Sequence, residues 1–120
     1  PKLVDSTATA ATVFSTVGTY IKIDRLVCVH IALANADTSG LNPGSDIFII
    51  DLPFATASGA GNTAVARVKN INNTAGLLFS LAANSPYGRL SDHSSNAFAA
   101  ISDITSGNNY VYIDMVYQTT

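Results

Sequence analysis

The sequence predicts an all-β fold, an antiparallel β-sandwich or jelly-roll-like domain of about eight strands with an extended N-terminal arm. Three observations predict it. Apolar and polar residues alternate with a period of two through most of the chain, and no segment carries the 3.6-residue period of an amphipathic helix. Clusters of Gly, Asn, Ser, Asp and Pro break the alternation at short intervals, as turns between short strands do. Good helix formers are scarce: all eight acidic residues are Asp, and Gln and Met occur once each. A chain of 120 residues supports one hydrophobic core and not two. Residues 1–17 are therefore assigned to the arm and residues 18–120 to a single β-sandwich domain.

The arm, PKLVDSTATAATVFSTV, is rich in Thr, Ala and Ser, with thinly spaced apolar side chains and one short strand expected near Thr12–Ser15. Initiator methionine is ordinarily removed before a residue such as Pro1, so the chain is expected to be a whole gene product. From Gly18 the alternation becomes strict. Tyr20, Lys22 and Asp24 alternate with Ile21 and Ile23; Val27, Val29, Ile31 and Leu33 then form one apolar face, opposed by Leu26, Cys28, His30 and Ala32. The charged cluster of Lys22, Asp24 and Arg25 falls at the corner between these strands and is read as a hairpin turn.

Residues 35–45, NADTSGLNPGS, read as a loop. The run DIFIIDLPF is almost continuously apolar, so both of its faces are expected to be covered, with Pro53 ending the ladder because it has no N–H to donate. A second loop, ATASGAGN, precedes strands expected at Thr63–Ile71, Gly76–Ala82, Ala97–Ile101 and Tyr110–Gln118, separated by turns at NNTAG, ANSPYG, SDHSSN and SGNN. The last strand places Val111, Ile113, Met115 and Tyr117 on one face and Tyr110, Tyr112, Asp114 and Val116 on the other.

Composition narrows the function classes. Hydrophobic residues make up 48% and charged residues 12%, about half the usual share of roughly 25%. A surface built from small neutral polar groups suits a chain whose flanks pack against copies of itself or another protein. The net charge of −2, with six basic residues dispersed along the chain, gives no nucleic-acid footprint. No run of 18 apolar residues is present, so no membrane-spanning helix is expected. The N-terminal residues lack the basic-then-apolar pattern of a signal peptide. The single cysteine, Cys28, excludes an internal disulfide, and its place in an apolar run predicts a buried, inert thiol.

Candidate chemistry is thin. His30 stands two residues from Cys28, on the same strand face. Asp92 and His93 sit beside Ser91, Ser94 and Ser95, the residue types of a catalytic triad or a metal site. Neighbours on one loop point in different directions, though, and neither a base within reach of a nucleophile nor a ligand cluster is visible. SGAGN lacks the lysine and helix of a phosphate loop, and NNT at 72–74 matches a glycosylation acceptor, a frequent chance match. No catalytic residue, metal ligand or cofactor is assigned, and the protein is not expected to be an enzyme. Tyr110, Tyr112 and Asp114 could instead form a ligand platform, because aromatic rings stack on pyranose faces while a carboxylate takes hydroxyls. Cross-strand tyrosine packing is the alternative. Asp92 and His93 add a polar loop to these contacts.

One ordered set of segments carries a resemblance. GTYIKIDRLVCVHI is followed by a Gly/Ser/Asn loop, then IDLPF, then a small-residue loop and the strand VARV, and an Asp/Ser/Gly turn precedes a final aromatic strand. Over about residues 18–117 this resembles the small β-sandwich modules of tailed-bacteriophage virion proteins, especially the head domains of tail fibres and tailspikes. Those modules carry a turn glycine where this chain has Asp24, and Asp is among the residues that tolerate positive φ next best. The resemblance implies a non-enzymatic protein of the virion surface, assembling with itself as a homotrimer. As a capsid decoration (cement) or head-fibre-type protein it would bind the major capsid protein or another virion protein. The alternative is a tail-fibre receptor-binding module for bacterial surface polysaccharide. In the first reading the arm, through Leu3, Val4, Val13 and Phe14, clasps a neighbour or the shell. No nucleic acid or membrane is expected as partner.

Overall fold

The computed structural model describes residues 1–58, 63–72, 76–92 and 97–120. Eight strands are present: β1 (Lys2–Val4), β2 (Thr12–Ile23), β3 (Leu26–Asp37), β4 (Phe48–Ile50), β5 (Thr63–Lys69), β6 (Leu77–Leu81), β7 (Gly88–Asp92) and β8 (Tyr110–Gln118). They form one antiparallel sheet in the order β1-β4-β7-β6-β5-β8-β3-β2. A single 3-10 turn, Ile101–Asp103, is the sole helical element among the described residues. The fold is all-β, as the alternation predicts.

The sheet curls until its two edges nearly meet. Val4 bridges Ala10, and the Ala11 N–H donates to the Leu3 carbonyl at 2.9 Å. Pro1 lies so near Gly18 that a Cβ there would stand 2.6 Å from the proline ring. The result is a sandwich- or barrel-like shell around one core. On β3 the residues Val27, Val29, Ile31 and Leu33 point inward, and on β8 Val111, Ile113, Met115 and Tyr117 do so. Ile47, Ile49, Leu77, Phe79 and Leu90 close the core from the other half of the sheet. Gly88 is required where β6 and β7 meet, because a Cβ would come within 2.5 Å of the Phe79 ring and 2.6 Å of the Ser80 carbonyl oxygen.

The corner between β2 and β3 is the expected hairpin. Ile23 pairs with Leu26, leaving Asp24 and Arg25 as the turn, and Asp24 adopts φ 53°. The Thr119 N–H donates to the Arg25 carbonyl at 2.8 Å and fixes the corner to the end of β8. A second special position lies near the other end of β3. Asn35 takes φ 55°, and the alternation slips so that both Leu33 and Ala36 face the core. The fully buried side chain of Asn109 secures this slip. Its Oδ1 accepts from the Ala36 N–H at 3.1 Å, and its Nδ2 donates to the carbonyls of Ala36 and Thr105, each at 2.8 Å.

Several expectations are corrected. The first 17 residues do not stand apart as an arm: Leu3 and Val4 are buried in the core through β1, and β2 runs unbroken from Thr12. Two apolar positions in a three-residue strand are too few for the period-two signal, so β1 was illegible. β7 is not among the expected strands, because its residues GRLSD offer a single large apolar side chain and the turns ANSPYG and SDHSSN overlap both of its ends. Residues 97–101, expected as a strand, contribute only isolated bridges at Phe98 and Ala100 before the 3-10 turn. The ladder of β4 ends at Asp51, in the left-handed region at φ 60°, two residues before Pro53. In β4, Ile49 is buried, whereas Phe48 and Ile50 on the other face are half-buried. Phe48 is covered by Tyr87 and by the Arg89 guanidinium.

Candidate functional site

The β3 inward set is Val27, Val29, Ile31 and Leu33, so its other set must point out. Cys28 is therefore exposed, not buried, because the four β-branched and leucine side chains opposite it win the core. The outer faces of β2, β3, β8 and β5 form a continuous surface whose composition the registers define row by row. Ser15, Ala34, Tyr110 and Lys69 make one row, and Val17, Ala32, Tyr112 and Arg67 the next. Thr19, His30 and Asp114 follow, then Ile21, Cys28 and Val116, and finally Ile23, Leu26 and Gln118.

Most of this face is apolar and open to solvent. Ile21 is 66% exposed, Ile23 71% and Val116 55%, and Val17, Leu26 and Val65 are exposed as well. Its central feature is a pair of ionisable groups. His30 Nδ1 and Asp114 Oδ1 are 2.6 Å apart across the β3–β8 ladder. A shallow groove around this pair is lined by Thr19, Ile21, Cys28, His30, Asp114 and Val116. Farther along, the Tyr110 and Tyr112 rings are parallel to within 1° at 6.1 Å between centroids. Their cross-strand partners on β5 lie over them, Lys69 on Tyr110 and Arg67 on Tyr112, each at 5.5 Å. On their β3 side the same tyrosines face only Ala34 and Ala32.

The candidate residues thus separate. Tyr110, Tyr112 and Asp114 share the outer face. Asp92 is half-buried at the end of β7, on the other half of the sheet, and His93 lies outside the described residues. Of the arm residues, Leu3 and Val4 are buried in their own domain and Val13 packs partly against the core, while Phe14, 86% exposed, remains available to another molecule. The arm expectation fails for Leu3 and Val4 because the sheet itself uses them to cover one end of the core. Sequence reasoning missed His30 as the partner of Asp114, and Arg67 and Lys69 as cations over the tyrosines. Their shared phase along each strand was visible; the strand neighbours that bring them together were not.

Asp114 takes the imidazole Nδ1, and Cys28 stands two residues from His30 on an extended strand, where successive outward side chains project side by side. Among the described residues no group of three or more His, Cys or Asp side chains could hold a metal ion. Two carboxyls elsewhere have lowered pKa values: Asp5, chiefly through the Asn42 N–H, and Asp37, chiefly through the Ser39 N–H. Both belong to loop clamps outside this face. Comparison with known proteins returns no matching family model, no similar curated protein and no similar solved structure, so the likeness to phage modules rests on the sequence segments alone.

Proposed function

We propose that this chain is a non-enzymatic structural protein of a bacteriophage particle surface, a self-associating decoration or head-fibre-type protein. The observation that carries the self-association is the outer face of β2, β3, β8 and β5. It sets Val17, Ile21, Ile23, Leu26 and Val116 in solvent on adjoining strands, and exposed apolar side chains grouped on one face mark a contact surface. The low share of charged residues, 12%, points the same way. The phage assignment is supported by the order of GTYIKIDRLVCVHI, IDLPF and VARV along the chain. Phe14, exposed on the edge strand, is a ready anchor for a capsid protein.

Copy number in purified particles tests this reading. Quantitative mass spectrometry of intact virions is expected to find the chain in numbers comparable to the major capsid protein. Its absence from particles contradicts the assignment. A few copies per particle would favour the second reading, a receptor-binding module, for which the parallel Tyr110 and Tyr112 rings beside Asp114 supply a sugar platform. Glycan-array binding lost in Tyr112→Ala is the result that second reading requires.

A further inference from the structure

We infer that the outer face of β3 and β8 is the interface between two copies of this chain, packed face to face about a two-fold axis that runs along the strands between β3 and β8. This rests on the self-association reading above and gives it a surface and a geometry. A rotation about such an axis keeps each row opposite its own row and exchanges the β3 position with the β8 position of the second copy. The registers then dictate which residues meet. Ala32 of one copy faces Tyr112 of the other, and Ala34 faces Tyr110. Each large ring meets a small residue, the alternation that lets two layers interdigitate at the usual sheet spacing of about 10 Å. In the next row His30 faces the second copy's Asp114, and in the row after that Cys28 faces Val116.

Charge complementarity follows from the same exchange. Within one chain His30 already meets Asp114 through Nδ1. In the pair, two imidazoles and two carboxylates alternate around the axis, so each carboxylate has an imidazole and not a carboxylate as its neighbour. Arg67 and Lys69 lie on β5, at the flank of the face and already over tyrosine rings, so no cation sits at the centre. The area is sufficient. Four strands spaced about 4.8 Å and five rows spaced about 6.8 Å give roughly 650 Å² per copy, close to the ~800 Å² per partner of a standard interface. Aligned sheets pack at about −30°, so the correspondence is tightest in the three central rows.

Sedimentation velocity on the whole chain tests the inference, with three variants checked for folding by thermal unfolding. Wild type is expected at twice the monomer mass in concentrated solution. Ala32→Arg fills the hole opposite Tyr112 with a charge and is expected to sediment as monomer. Ile21→Lys, at an exposed position that the fold does not need, is expected to weaken the dimer and carries the test if Ala32→Arg does not fold. Tyr87→Ser, on the other half of the sheet, is expected to leave the dimer intact. A dimer that survives both Ala32→Arg and Ile21→Lys overturns the face while leaving self-association standing. Trimeric wild type overturns the two-fold geometry. A wild type that is monomeric at every concentration overturns this inference, and the virion reading is then judged separately by copy number in particles.

Discussion

The two faces of β3 and β8 are made from alternate residues of the same two segments and meet opposite fates. Inward, Val27, Val29, Ile31 and Leu33 oppose Val111, Ile113, Met115 and Tyr117, and all are buried. Outward, one residue further along each strand, stand Cys28, His30, Ala32 and Ala34 against Val116, Asp114, Tyr112 and Tyr110. The inner face is large and apolar throughout, which is what a core needs to fill its volume. The outer face sets small against large and imidazole against carboxylate. That pattern adds little to the fold of one chain and has the form of a surface meant to meet another.

The contrast can be broken most forcefully from the inside. Ile113→Ala is expected to destabilise the fold by about 3–4 kcal/mol, whereas Val116→Ala on the outer face should stay within about 0.5 kcal/mol when measured in dilute solution. Denaturant midpoints of the two variants test this, and equal losses would mean that the outer face is part of the folding core. Asn109→Ala is expected to lose about 1–3 kcal/mol, because it strands the buried Ala36 N–H at the point where the alternation slips, while the Ala36 and Thr105 carbonyls keep the Gly107 and Asn108 N–H donors. A loss below the error of a urea titration would show that the slip in β3 holds without its amide clamp.

Gly88→Ala is expected to cost about 1–3 kcal/mol, since the added methyl overlaps the Phe79 ring and the Ser80 carbonyl. The expected companion is a shift in the near-ultraviolet signal of the core aromatic residues; an unshifted spectrum at wild-type stability would contradict the close approach of β6 and β7. Smaller still, His30→Ala should change the stability of the single chain by about 0–1 kcal/mol, because His30 and Asp114 are largely exposed before association. The same substitution should weaken the dimer, and that difference between folding and association sharpens the comparison of the two faces.

Two aspartates outside the rows of the outer face have lowered pKa values. Asp5 accepts from Asn42 N–H at 3.0 Å and from Thr7 and Thr9, and Asp37 accepts from Ser39 N–H at 3.0 Å and Ser106 Oγ at 2.9 Å. These bonds lower both pKa values below the ordinary aspartate value of 3.8. A carboxyl more readily ionised folded than unfolded contributes its full stabilisation above the unfolded pKa and loses it as pH falls through the folded one. Stability should therefore be level near neutrality and decline below about pH 4. Asp5→Asn is expected to flatten that decline, and an acid limb identical to wild type would remove Asp5 from the account.

Much of the fold was legible because alternation is local. The Tyr110–Gln118 strand has the expected bounds, and Asp24 takes the positive φ that its turn position requires. What was not legible depended on neighbours distant in sequence. Cys28 and Val29 are equally compatible with a core by composition, and only the competition between whole faces decides that the valine goes in. The short strands β1 and β7 form because partners at β4 and β6 wait for them, which no window of their own residues reveals. The candidate site was half legible for the same reason: Tyr110, Tyr112 and Asp114 share a strand, but His30, Arg67 and Lys69 reach them only through pairing.

The central claim is that the outer face of β2, β3, β8 and β5 is covered in the associated protein. Cys28, the only cysteine and exposed on that face, reports on it directly. Its rate of reaction with a small thiol reagent is measured on the unmodified wild-type chain across a dilution series. The account predicts rapid labelling in dilute solution and a slowing of about tenfold or more as concentration rises and the face becomes covered. A labelling rate that stays constant across the whole series would contradict it.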